Sequence, residues 1–194
     1  MTLLNHVQAT DEYAAIAKFY GERRAERSQV LLINHIHEGV AIIEALEGEL
    51  PGNVRFNTSD AARAYCLHPL FQNDAELKTE GMLYLNRGRP YAMEVMLAME
   101  YRHRANDWLS DKVVMLDKYL KLVGAPDSGP LPEVRAMLIA DKVQNYKDFL
   151  AHHKGKHARS RELDEYFKTW LNHLGIGPCQ FKKLVAIAKQ AVPA

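Results

Sequence analysis

An all-α, irregular helical fold is predicted by three features of the 194-residue sequence. Apolar residues recur three and four positions apart through nearly every segment, the spacing of one helix face. Alternation of period two never lasts more than a few residues. The helical stretches differ in length and are joined by long, turn-rich connections. A first helix is expected over 10–26, with Thr10 as N-cap, Glu12 close behind, and Tyr13, Ile16, Ala17 and Tyr20 on one side. Residues 36–47 repeat Ile36, Val40, Ile43 and Leu46 as one apolar stripe. After the turn-rich GELPGNVRFNTSD, one of Thr58, Ser59 and Asp60 is expected to cap a short helix that Pro69 interrupts. A small helix over 74–86, the loop NRGRP, and a long helical run from Pro90 to about Leu122 follow, ended by GAPDSGPLP. The helix carrying LIADKVQNYKDF leads into a basic loop, HHKGKHARSR, and then into helices over 160–173 and 178–191 around Gly-Ile-Gly-Pro.

The length suits one domain, 1–194, with a single core, and 47% apolar with 25% charged residues is the balance of an ordinary globular protein. A formal net charge of +1 argues against nucleic acid and anionic membrane as partners, so any basic site is local. Cys66 and Cys179 lie far apart without a CxxC spacing, which fits a reducing compartment. The start, MTLLNHVQATDEY, lacks the pattern of a secretory signal, and no apolar run approaches ~18 residues. A cytoplasmic protein is expected.

Within LIADKVQNYKDF, Asp141, Asn145 and Asp148 are spaced i, i+4, i+7 and share one helix face amid Leu138, Ile139, Val143, Tyr146, Phe149 and Leu150. Acids beside core residues need a partner, a hydrogen bond or a metal; a solvated polar stripe is the plain alternative. Two histidine groups stand out among the nine histidines. In INHIHEGV, His35 and His37 are two apart, about 200° around a regular helix, so either only one of them faces inward or the turn is pre-helical. In YCLHPLFQND, His68 lies on an apolar segment, where a core histidine satisfied by its neighbours is the ordinary reading. Two histidines and an aspartate on three helices are nevertheless the inventory of a mixed nitrogen and oxygen metal site, which Mn²⁺ and Fe²⁺ suit better than Mg²⁺.

At these places the sequence resembles the HD-type hydrolase domain of the RelA/SpoT family, above all its small single-domain members, which remove pyrophosphate from guanosine alarmones. LINHIHEGVAII resembles the family's Y-I-N-H-P segment and puts His35 in the place of a metal ligand. AYCLHPLFQND resembles L-L-H-D-x-x-E-D, with His68 as the second ligand, and LIADKVQNYKDF resembles K-L-A-D-K-x-x-N-x-x-D/T, with Asp141 as the last. AIAKFYGERRAERSQVLLINH resembles the first helix and its Arg-rich turn, which implies that Arg23 or Arg24 approaches the nucleotide; Asn145 and, in EYFKTW, Tyr166 would line its pocket. The resemblance spans about residues 10–175 and implies an HD-domain-like bundle, Mn²⁺ as cofactor, and a nucleotide with multiple phosphates as substrate.

The pattern also departs from the family. The HD pair is His68-Pro69 here, and the catalytic acidic pair is Gln72-Asn73, whose amides cannot act as general bases near neutral pH. Asp74, Glu100 and His37 are the candidate substitutes. Three readings follow: a nucleotide phosphohydrolase with a rewritten acid site at Gln72, Asn73 and Asp74, a catalytically inactive relative that binds a nucleotide or a protein partner, or an all-helical interaction protein that shares only structural ancestry with the family. Arg102 and Arg104 in MEYRHRANDWLSDK, and Lys154, Lys156, Arg159 and Arg161 in the basic loop, are either phosphate donors or solvated, ion-paired surface.

Overall fold

The computed structural model describes residues 2–26, 28–46, 50–87, 91–110, 130–156 and 158–192. About three quarters of the described residues are helical, and their only bridge of strand type joins Arg24 to Leu31. In chain order the helices are α1 (Leu3–Val7), α2 (Asp11–Tyr20), α3 (Ile33–Ala45), α4 (Thr58–Phe71), α5 (Asp74–Glu76), α6 (Met82–Arg87), α7 (Ala92–Ser110), α8 (Pro132–Asp148), α9 (Ser160–His173) and α10 (Pro178–Gln190). Single π-helical turns, Leu77–Gly81 and Phe149–His153, precede α6 and extend α8. None of the described helices is long and apolar enough to cross a membrane.

Local chemistry sets the boundaries. Thr10 accepts from the Tyr13 amide as the N-cap of α2, and Gly21 at φ 50° ends that helix short of 26. Asn57, not Thr58, Ser59 or Asp60, caps α4: its side-chain oxygen accepts from the amides of Ser59 and Asp60. Pro69 does not interrupt that helix. α4 runs through it to Phe71, held by burial on every side from Ala64 to Phe71. Of the long run expected from Pro90 to Leu122, α7 accounts for Ala92–Ser110, and the rest lies outside the described residues.

α4 is the axis of the bundle and packs against α2, α3, α7 and α8, while α3 also meets α8 and α10. Gly39 lets α3 approach α4 closely, because Tyr65 lies where its side chain would be. A buried charge network ties the outer helices to α4. Arg63 donates in bidentate fashion to Glu12 of α2, at 3.1 Å each, and pairs with Glu94 of α7 at 2.8 Å. α3, α4 and α8 thus converge, and each brings one residue of the predicted metal set to the same place.

Candidate metal centre

His35 enters from the first turn of α3, His68 from the last turn of α4, and Asp141 from the middle of α8. His35 Nε2 and His68 Nε2 are 3.1 Å apart, and Asp141 Oδ1 lies 3.7 Å from the first and 3.9 Å from the second. The circle through three atoms with those separations has a radius of about 2.1 Å, the length of a bond from nitrogen or oxygen to a first-row divalent ion. One ion therefore reaches all three atoms without any of them moving. Among the described residues this is the cluster of His, Cys, Asp and Glu side chains with that capacity.

Hydrogen bonds give the nitrogens the right protonation. His35 Nδ1 lies 2.8 Å from Gln144 Oε1, and His68 Nδ1 lies 2.6 Å from the Tyr65 carbonyl. Both acceptors are oxygens, so each Nδ1 carries the hydrogen, and in the neutral imidazole the lone pair is then on Nε2. Pro69 accounts for the second of these bonds. Lacking an N–H, it leaves the carbonyl four residues earlier, that of Tyr65, without its helical donor, and the His68 imidazole takes the place. Two lone pairs and a carboxylate oxygen thus face one point. The Tyr65 hydroxyl, 3.1 Å from His35 Nε2, can donate to only one of them. Burial, reinforced by the neighbouring His35, pushes His68 down to about 3, so it is neutral and ligand-competent at pH 7.

Asp141 has its own support. Asn145 donates to its Oδ1 at 2.7 Å, and Lys142 donates to its Oδ2 at 2.7 Å from the side away from the histidines. Burial alone would raise the Asp141 carboxyl, but Lys142, His35 and His68 together outweigh it and the group stays ionised. Burial likewise opposes the charge on Lys142, which Asp141 and Tyr166 restore. Its ammonium also lies 5.3 Å from the Trp170 ring centroid, a cation–π distance. The Asp141–Lys142 pair is therefore neutral overall. Two imidazoles in a ligand set would suit first-row transition ions better than Mg²⁺ or Ca²⁺. Tyr101 packs against His68. Its ring centroid is 4.9 Å from that of His68, and its buried hydroxyl lies beside Asp141 without a regular hydrogen bond.

The centre opens into a cavity of about 550 Å³. Its lining includes apolar Leu31, Phe149, Leu163 and Phe167 and polar Gln72, Gln144, Asn145 and Asp148. Asp141, Asn145 and Asp148, which share a helix face by spacing, all line it. The other expected residues lie elsewhere. Asn73 is the N-cap of α5, accepting from the amides of Ala75 and Glu76, and Asp74 is 72% exposed and paired with Arg102. Glu100 accepts from the Leu131 amide, and His37 is hydrogen-bonded to Tyr13 at 2.7 Å, so neither reaches the ion site. Arg23 turns back onto the carbonyls of Phe19 and Tyr20, and Arg24 donates to the Gln29 carbonyl. Tyr166 serves Lys142 rather than the cavity lining. Of the basic groups, Arg102 bonds the Phe71 carbonyl and Asp74, while Lys154, Arg159 and Arg161 pair with Asp164, Glu162 and Glu165.

Sequence reasoning missed Gln144, Tyr65 and Tyr101. Gln144, three residues after Asp141 on the same face, and Tyr65, one turn before His68, were detectable by helical spacing. Nothing local marks Tyr101. Comparison of the chain with protein-family models, curated proteins and solved structures finds no match.

Proposed function

We propose that the chain is an HD-type metallohydrolase-like protein in which His35, His68 and Asp141 hold a divalent transition ion of the Mn²⁺ class. The cavity in front of them would receive a phosphorylated nucleotide. The observation that carries this reading is the convergence of two imidazole Nε2 atoms and a carboxylate oxygen at distances of 3.1–3.9 Å. An ion of this class lowers the pKa of a bound water and polarises a phosphoryl oxygen. The chain's own residues supply the rest. Asn145 and Lys142 keep Asp141 aimed, Gln72 offers a hydrogen-bonding amide at the cavity wall, and Phe149 and Phe167 give a base or other planar group an apolar face.

A second reading is binding without turnover. It is favoured by the placement of Asn73 as a helix cap and of Asp74 against Arg102, which leaves the expected acid positions without a carboxylate at the ion site. One experiment separates the two. The purified chain is titrated with Mn²⁺ by calorimetry, then incubated with a panel of nucleotides, guanosine alarmones included, while phosphate and pyrophosphate are measured. Release that disappears in Asp141→Ala supports hydrolysis. Nucleotide-dependent thermal stabilisation without release supports binding alone. Absence of Mn²⁺ binding overturns the metal reading itself.

A further inference from the structure

His35 is held by a chain of polar groups that runs away from the cluster and returns to its own helix. Its Nδ1 meets Gln144 Oε1 at 2.8 Å, and Gln144 Nε2 donates to Asp148 Oδ2 at 2.6 Å. The other oxygen of Asp148 is 2.9 Å from Lys147 Nζ, and Lys147 also donates to both carboxylate oxygens of Glu38, at 2.7 and 2.6 Å. Glu38 is buried and lies in α3, three residues after His35. The circuit thus closes between α3 and α8.

Each link in this circuit has a direction. An ionised carboxylate only accepts hydrogen bonds, so the amide end of Gln144 that faces Asp148 must be its NH₂. The end that faces His35 is then the carbonyl, which can only accept. His35 Nδ1 must therefore carry the hydrogen, and its lone pair is fixed on Nε2, toward His68 and Asp141. We infer that Asp148 is a positioning residue for the metal centre: acting through Gln144, it selects the His35 tautomer that can bind an ion. Lys147 holds the other oxygen of Asp148 in place, and Glu38 holds Lys147 against α3. The inference rests on the metal reading of the site for its consequence, but its first link, the tautomer, does not.

Nitrogen-15 NMR of the full chain, labelled at histidine and without metal, reads the tautomer directly, and Mn²⁺ calorimetry reads its consequence. In the wild-type chain His35 is expected as the Nδ1–H form. Asp148→Asn removes the obligatory acceptor, because an amide can also donate, and Gln144 is then free to present either end. A mixture of His35 tautomers and Mn²⁺ affinity weakened roughly 10–100-fold are expected, the range for loss of a partner behind a metal-bound histidine. Gln144→Glu sets two carboxylates against each other and is expected to weaken binding. Joining it to Asp148→Asn restores a donor facing an acceptor and should return both tautomer and affinity toward wild type. A purely structural role for Asp148 predicts no such rescue. An Nε2–H form of His35 in the wild-type chain, or an unchanged tautomer in Asp148→Asn, would overturn the inference. A correct tautomer pattern without any Mn²⁺ binding would instead leave the positioning circuit in place and defeat the metal reading.

Discussion

Replacing Gly39 by alanine tests whether the metal centre depends on the close approach of α3 and α4. A Cβ built on Gly39 falls 2.5 Å from the Tyr65 hydroxyl oxygen and nearer still to ring carbons Cε1 and Cζ, against about 3.5–4.0 Å for ordinary carbon contacts. The ring cannot swing aside freely. Tyr65 is fully buried, its ring centroid is 4.5 Å from that of His68, and its hydroxyl is 3.1 Å from His35 Nε2. Overpacking of this kind costs roughly 1–3 kcal/mol, and so rigid a neighbour puts it at the upper end. Alanine returns about 1 kcal/mol through helix propensity. The net loss is then about 2 kcal/mol, or roughly 4–8 °C in Tm for a chain of this size. Urea unfolding gives the free energy, and calorimetry with Mn²⁺ shows whether displacement of Tyr65 loosens the histidines. Pairing the change with Tyr65→Leu, which removes the clashing ring atoms, should recover part of the loss, whereas Tyr65→Phe should not. A Gly39→Ala chain as stable as wild type, with unchanged Mn²⁺ affinity, would refute the packing argument.

Other perturbations separate the layers of the site. Asp141→Ala should abolish Mn²⁺ binding and leave the Lys142 ammonium buried and unpaired, at roughly 3–5 kcal/mol by urea unfolding. Pro69→Ala supplies an N–H to the Tyr65 carbonyl, so stability should hold or rise while Mn²⁺ affinity falls, as His68 Nδ1 then shares its acceptor. The Lys168 ammonium, working against partial burial and joined by Tyr146 and Lys154, holds Asp164 down at about 2 against an ordinary 3.8. Between those values the unfolded chain binds more protons, so this contribution is present above pH 3.8 and is lost as the pH falls toward 2. Asp164→Asn should lower stability at neutral pH and flatten that part of the acid limb in pH-dependent unfolding.

Helical spacing was enough to place the apolar faces, because Ile36, Val40, Ile43 and Leu46 are all buried in or beside α3 as the repeat requires. It was enough, too, to separate His35 from His37, since 200° of rotation sends one to the cluster and the other to Tyr13. It failed at Pro69, where the local rule for a helix breaker lost to burial of the whole helix. It also failed for the residues around the acid positions. Asn73 and Asp74 are polar residues after an apolar helix, and only the structure shows that one caps the next helix and the other meets Arg102, 28 residues away. Contacts at that separation leave no trace in local spacing. The same holds for Glu38 with Lys147 and for Tyr101 beneath His68.

The ligand residues and the acid positions occupy different mechanical environments, and this makes the acid half open to repair. His68 and Asp141 are buried in helices whose neighbours hold them, whereas Asn73 and Asp74 are exposed at the start of the short helix α5. Gln72 sits between these regimes. It follows His68 by one helical turn, is the C-cap of α4, and lines the cavity. Gln72→Glu would therefore set a carboxylate in the wall of the same cavity. General-base help from a positioned carboxylate contributes roughly 10²–10⁴-fold. Phosphate release from nucleotides with saturating Mn²⁺ should rise by about 10²-fold over wild type, the lower end of that range, because no second acid is restored. If the variant binds Mn²⁺ like wild type yet releases no more phosphate, the wall at residue 72 is not where water is activated, and the hydrolytic reading loses its acid position. If the wild-type chain is inert and the variant active, the natural chain uses the same pocket to hold its ligand without turning it over.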